Sequence, residues 1–315
     1  MVDDDFNESE MFSQQAFVPA PAPVAVPVVA AAPEADNPLS KYFRLPGLSV
    51  SLPTAGAFFP AGGVELDAAG EVSVLPMRAA DELLLSSPDA LMNNTAITNL
   101  IRSCVPAIKM PEYVSAPDLD VLLIAIRIAS SGETMEIELP CPECKKENTF
   151  EVHLPSVIGT MKQIPAQNPL RLSDEVVVYL RPHTVSAQTK VLVSAFRETR
   201  AAQAIDADQT LSDDERNKRL NGVMDRLNDM NLFGLANSIV KIVVPGYEVT
   251  NHQHIKEFLG NTDKATLNKL RIEMERINGM GIDKSVPATC QHCAHSWEGS
   301  IEFNPATFFE ERSSD

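Results

Sequence analysis

The chain has 315 residues, 44% of them hydrophobic, and 26 Lys and Arg against 43 Asp and Glu, for a net charge of −17. That apolar share is ordinary for a globular chain and allows a real core in one large or two modest domains. The charge argues against nucleic-acid binding, which needs basic surface to displace counterions from phosphates, and favours solubility and protein partners with basic patches.

The first 40 residues hold seven acidic residues and no Lys or Arg, and include the Pro/Ala/Val run from Ala16 to Pro33. A secretion signal needs a positive start and a continuous apolar stretch, and this segment has neither. Repeated prolines exclude an ordinary membrane helix, and no 18-residue apolar run occurs elsewhere. The composition predicts an extended, disordered acidic tail over 1–40, a tether or a ligand for a groove on a partner.

From 41 to 158 the pattern predicts a small α+β unit. Glycines at 47, 56, 62, 63 and 70 punctuate short strand-like pieces up to Val72-Ser-Val-Leu75. Helical signals follow at Ala79 to Leu85 and Pro88 to Cys104. Cys104 reads as a small apolar residue on that helix. A strongly apolar helix is expected from Asp118 to Ala129, opened by the near capping box Ser115-Ala-Pro-Asp118 and buried on most faces. The unit ends in the run Met135-Glu-Ile-Glu-Leu-Pro, Cys141-Pro-Glu-Cys144, then Thr149-Phe-Glu-Val-His-Leu154.

Residues 159–284 read as a mainly helical insert. After a strand at Glu175 to Leu180, a helix is expected from Val185 to Ile205. The complete capping box Ser212-Asp-Asp-Glu215 opens a second helix, expected to run to Val244, where Pro245-Gly246 stops it. A third is expected between Thr262 and Asn278. Phe196, Leu220, Leu227, Phe233, Leu267 and Leu270 are the expected core of this bundle. The segment 285–315 repeats the earlier pattern: Ser285-Val-Pro-Ala-Thr, Cys290-Gln-His-Cys293, then Trp297 to Phe303.

Each Cys-x-x-Cys thus sits at the turn between two strand-like runs, which is half of a tetrahedral zinc site. Cys141, Cys144, Cys290 and Cys293 together would make one structural Zn2+ site, a zinc ribbon split by the insert. Cys144 and Cys290 are 146 positions apart, roughly tenfold more than in a compact ribbon. A tenfold longer loop costs only about 2 kcal/mol more to close. Structural zinc contributes on the order of 10–16 kcal/mol in small peptides. The metal wins, provided the insert folds and its ends lie close together. Three other readings compete. A disulfide framework belongs to small cysteine-dense secreted chains, and a redox CxxC should open a helix rather than a second strand. The third is four unligated thiols on hairpin tips. His292 or His295 could replace one thiolate in a Cys₃His set.

The residues Leu45-Pro-Gly, Phe58-Phe-Pro-Ala-Gly-Gly63 and Val74-Leu-Pro-Met-Arg-Ala-Ala-Asp-Glu82 resemble the opening of T4-type phage baseplate proteins. Ser86-Ser-Pro-Asp-Ala-Leu91, the apolar helix after Asp118, both Cys-x-x-Cys segments and Phe303-Asn-Pro-Ala-Thr-Phe-Phe309 continue the likeness over about 42–310. Within that group the chain is similar to the baseplate hub and hub assembly proteins of contractile-tailed phages. The resemblance implies a virion or virion-assembly role, in the tail baseplate or in the host cytoplasm during assembly. It implies other baseplate and tail proteins as partners, and no enzymatic activity.

No phosphate-cradling glycine loop or nucleophile elbow occurs. His252 and His254 have a spacing that puts them on opposite faces of a strand and poorly together on a helix; His183 reads as an isolated loop histidine. With no catalytic residues and no small-molecule site to point to, a structural protein is preferred. There the insert projects as a docking arm, and Phe308-Phe309 could join it against a neighbour. The competing class is a zinc-ribbon regulator that binds nucleic acid.

Overall fold

A computed structural model describes residues 44–87, 95–301, 303 and 308–309. The expected tail over 1–40 and the start of the helix expected at Pro88 lie outside the described residues.

Strands β1 (Leu48–Ser51) and β2 (Glu71–Val74) pair antiparallel, with Val50 opposite Val72. Helices α1 (Ala79–Leu85) and α2 (Thr95–Cys104) follow. The chain is pinned at Arg44, whose guanidinium donates to the carbonyls of Pro76 and Ser103 and pairs with the buried Asp81 carboxylate. Cys104 is fully buried, as its apolar reading required.

Helix α3 (Ala116–Ser131) organises this part of the molecule. Its N-cap Ser115 accepts from the Asp118 N–H at 3.3 Å and donates to the Asp118 carboxylate at 2.8 Å. That carboxylate also accepts from the Thr54 N–H and hydroxyl at 3.0 and 2.7 Å, which ties the start of α3 to the turn after β1. Burial pushes the Asp118 carboxyl above its ordinary range, and the bonds from Thr54 and Ser115 offset part of that. Val121 to Ile126 are all at most 1% exposed, so the helix is buried on nearly every side. Phe308 and Phe309 pack into the same apolar cluster, and Arg127 donates to the Phe308 carbonyl at 2.7 Å. The expectation that these two aromatics serve a neighbouring subunit is therefore wrong: they close this chain's own core.

Hairpin β3 (Thr134–Pro140) and β4 (Glu147–His153) leads through the short helix α4 (Leu154–Gly159) into the insert. There a four-stranded antiparallel sheet forms in the order β5-β6-β7-β8, from Asn168–Arg171, Val177–Leu180, Ile239–Val244 and Tyr247–Val249. Between β6 and β7 runs a helical hairpin, α5 (Val185–Ala207) and α6 (Asp213–Asn237). The capping box at Ser212 and Glu215 opens α6 as expected. The helix stops at Asn237 rather than Val244, because Ile239-Val-Lys-Ile-Val-Val is a β-branched run that packs on the pleated sheet. Helices α7 (His252–Gly260) and α8 (Lys264–Asn278) complete a second apolar cluster with Val178, Leu180, Ile242 and Leu270. Leu270 is core as expected, but Phe196 is 47% exposed and is not.

The two ends of the insert meet. The Lys162 N–H donates to the Gly281 carbonyl at 2.7 Å, and the Asp283 N–H donates to the Thr160 hydroxyl at 2.8 Å. Gly281 has a φ of +111° and a Cβ there would come within 3.1 Å of Pro117, so this close approach to α3 requires glycine. From this junction the chain enters hairpin β9 (Ser285–Thr289) and β10 (Ser296–Ser300).

Candidate metal centre

The two cysteine turns are copies of each other. In the first, the Cys141 N–H donates to the Lys146 carbonyl and the Lys145 N–H donates to the Cys141 carbonyl, both at 2.9 Å. In the second, Cys290 N–H to His295 carbonyl and Ala294 N–H to Cys290 carbonyl repeat the pattern at 2.8 and 3.0 Å. In both, the residue after the second cysteine is left-handed: Lys145 at φ 59° and Ala294 at φ 56°. That conformation turns the chain sharply enough for both cysteines of a turn to aim their sulfurs to one side.

The turns face each other across the junction. Cys141 Sγ lies 3.6 Å from Cys293 Sγ, Cys144 Sγ lies 3.6 Å from Cys290 Sγ, and all four sulfurs are within 4.8 Å of one another. Zinc–thiolate bonds of about 2.3 Å at tetrahedral angles put neighbouring sulfurs about 3.8 Å apart, so the donor set fits a four-sulfur site. All four are free thiols, and 3.6 Å is far beyond a disulfide bond. Cys141 and Cys290 are buried, and Cys293 is exposed at the rim.

Charge supports the same geometry. Burial works to raise the Cys290 thiol, but hydrogen bonds from the backbone N–H groups of His292 and Cys293 outweigh it and push it down to about 6. At Cys293 the His295 N–H works downward, yet burial and the neighbouring sulfurs push the thiol up to about 12. Four sulfurs at this spacing cannot all be thiolates without a cation among them.

Side chains with no motif of their own hold the hairpins together. Asn148 is buried; its amide donates to the Lys146 carbonyl at 3.0 Å and accepts from the Gln291 N–H at 2.9 Å, latching one turn to the other. Phe150 meets Trp297 edge-on, with ring centroids 5.9 Å apart. Gly299 brings β10 against β3 so closely that a Cβ there would fall 2.4 Å from Leu139 Cδ1. Neither Asn148 nor Gly299 stands out in the sequence, since each acts only across a contact between distant segments.

The histidines are elsewhere. His295 stacks on Trp297 and His292 is exposed; neither belongs to the four-residue cluster. His252 packs edge-on against Phe233 at the start of α7, and His254 is exposed on the same helix. His183 is more than a loop residue: its Nδ1 lies 2.6 Å from the Ser238 hydroxyl, and its backbone joins Ala116 and Asn278. Burial pushes its pKa down.

Among the described residues no helix is long and apolar enough to cross a membrane. No curated protein and no solved structure matches the chain. Residues 74–310, which include both hairpins and the whole insert, match the family model of the T4 bacteriophage base plate protein. That match covers well over half of the sequence, and the chain belongs to this baseplate family.

Proposed function

We propose that the protein is a non-catalytic structural or assembly component of the hub region of a contractile-tail phage baseplate, held in shape by one zinc ion on Cys141, Cys144, Cys290 and Cys293. Family membership supports association with other tail proteins in the virion. The gathering of four sulfurs within 4.8 Å, on two turns of identical backbone design, carries the zinc reading. Bound Zn2+ would neutralise the thiolates and cross-link segments 146 positions apart. The chain's own contribution is orientation: the left-handed turns aim the sulfurs, Asn148 sets the register of the hairpins, and the junction at Thr160 and Gly281 brings their bases together. In this reading 41–158 and 285–315 form one unit around a split zinc ribbon, and 159–284 is an insert that projects the α5–α6 hairpin as a docking arm.

A nucleic-acid-binding regulator finds no support at the ribbon. The outward face of β3 and β4 carries Glu136 directly opposite Glu151, with Glu138 and Glu147 beside them, and phosphates would be repelled. Metal analysis of the purified protein should find one zinc per chain, lost in Cys141→Ser or Cys290→Ser. A metal-free protein with an unchanged unfolding curve would sink the zinc clamp. Cross-linking mass spectrometry of tail particles should link the chain to hub components, and links confined to the baseplate periphery would overturn the hub assignment.

A further inference from the structure

At the base of the hairpin, α5, α6 and α8 line a cleft of about 470 Å3. Its apolar walls include Val191 and Leu192 from α5 and Leu235 from α6, and Leu192 is 68% exposed. Gly234 lets the two helices of the hairpin close up there, since a Cβ at that position would meet Val191 Cγ2 at 3.2 Å. The volume is in the range of clefts that take side chains or small molecules. The one permanent charge in the lining is the Arg271 guanidinium, from α8, and no carboxylate lines the cleft. Among the described residues Arg271 makes no ion pair and no hydrogen bond. Other cations of these helices and of α7 are matched: Arg226 pairs with Glu198, Lys256 with Asp229 and Arg276 with Glu273. Four residues beyond Leu192, on the same row of α5, Phe196 is 47% exposed. The Arg200 guanidinium lies over its ring, 5.2 Å from the centroid, again with no carboxylate partner among the described residues.

We infer that this cleft receives an acidic, aliphatic segment of a neighbouring tail protein, whose Leu, Ile or Val side chain fills it while an adjacent carboxylate pairs with Arg271; the source, though not the carboxylate chemistry, rests on the baseplate reading. Charge decides the occupant. The chain holds 43 Asp and Glu against 26 Lys and Arg, so a guanidinium without a carboxylate is out of keeping with its surroundings. A guanidinium binds a carboxylate through two parallel hydrogen bonds, a geometry that an ammonium cannot offer. Apolar walls beside the pair exclude water and strengthen it relative to the same pair in open solvent. Gln188 and Asn231 line the same cleft, and their amides can donate to the same anion. A basic partner drawn by the acidic surface finds no carboxylate here and meets Arg271 instead. The cation over Phe196 extends the same combination of apolar contact and positive charge along α5.

The probe is isocaproate, an aliphatic carboxylate, set against isocaproamide, which has the same shape and no charge. Methyl NMR of the zinc-loaded full chain should show saturable shifts at Val191, Leu192 and Leu235, with the acid binding about tenfold tighter than the amide. Arg271→Gln should erase that preference with melting temperature and zinc content unchanged, since Arg271 is exposed. Arg276→Gln removes a guanidinium already paired with Glu273 and should leave the acid's affinity within about twofold. Equal binding of acid and amide, a preference that survives Arg271→Gln, or no shift at these methyls overturns the inference. For the source, a photo-cross-linking residue in place of Gln188 should capture, in assembled tail particles, a peptide of another tail protein with Asp or Glu beside Leu, Ile or Val. Capture of a basic peptide, or of a peptide from this chain or a second copy of it, overturns the inference. A chain found in tail particles but without the acid preference sinks the cleft reading alone. A chain that keeps the preference but is never found with tail particles sinks the baseplate reading and leaves carboxylate recognition standing.

Discussion

Helix α3 and the α5–α6 hairpin are both strongly helical, yet they get their stability from opposite sources. In α3 the run Val121 to Ile126 is wholly enclosed, and even Asp118 and Arg127 are buried with their partners. Along α5 only Val185 and Ala187 are buried, both at its base, and along α6 only Val223, Leu235 and Ala236. The hairpin stands on its caps, on its own inter-helix seam and on ion pairs such as Arg226 with Glu198 at 2.8 Å. Helices in water need a buried face more than they need propensity. The hairpin therefore draws little of its stability from buried apolar surface, while α3 draws most of its own from it. The cysteine turns belong with α3, since they lie outside the insert that carries the hairpin.

The sharpest way to break that contrast is to remove a cysteine. Cys141→Ser or Cys290→Ser should release the metal and lower the unfolding free energy by about 4 kcal/mol or more, read from denaturant melts with parallel metal analysis. An unchanged melt would mean that the body does not depend on the clamp. Next in size, Ile124→Ala should cost about 2–5 kcal/mol, because it opens a cavity inside a closed cluster. Phe196→Ala, with half its ring in solvent, should cost the monomer less than about 1 kcal/mol. Equal losses at the two positions would erase the distinction between the enclosed helix and the exposed hairpin. Gly299→Ala should destabilise by about 1–2 kcal/mol and weaken metal binding with it, since the new methyl drives Leu139 off and spreads the hairpins.

The smallest effect concerns pH. Burial holds the pKa of His183 below its ordinary 6.5. Between that lowered value and 6.5 the unfolded chain binds more protons than the folded one, so stability is present above 6.5 and falls as the solution is acidified through this window. Asp118 works in the other direction: its raised carboxyl lets stability rise as pH drops through its folded value. Melting temperatures at pH 7 and 5.5 for the wild type and for His183→Gln would isolate the histidine. The variant should lose part of the acid-side slope, and an identical slope would mean His183 already protonates freely in the fold.

Much of this molecule is legible in local pattern. The capping serine before α3, the capping box before α6 and the apolar density after Asp118 each specify an element from residues a few positions apart. The Cys-x-x-Cys pairs narrow the chemistry to a metal site, a disulfide, a redox pair or free thiols, and the gathering of all four sulfurs within 4.8 Å favours the first. Local pattern misleads where a tertiary contact competes with it. The helix opened at Ser212 is expected to reach the stop at Pro245-Gly246, but past Asn237 the β-branched run is claimed by the neighbouring strands. Phe196 falls at an apolar position of the helical period yet is 47% exposed, and Phe308 and Phe309, expected against a neighbour, are buried in this chain's own core. In each case position in space overruled residue type.

By itself, then, the order of residues determined where the capped helices begin, which turns carry thiols, and the baseplate kinship, since all three are written in short-range spacing or in motifs held in sequence order. Whether the four sulfurs come together, which aromatic residues close the core, and which face of the hairpin is left bare were decided only by the tertiary structure. The physical reason is that these depend on contacts between segments more than a hundred positions apart. The junction of Thr160 with Asp283, the Asn148 latch and the Gly299 approach are such contacts, and no local preference specifies them.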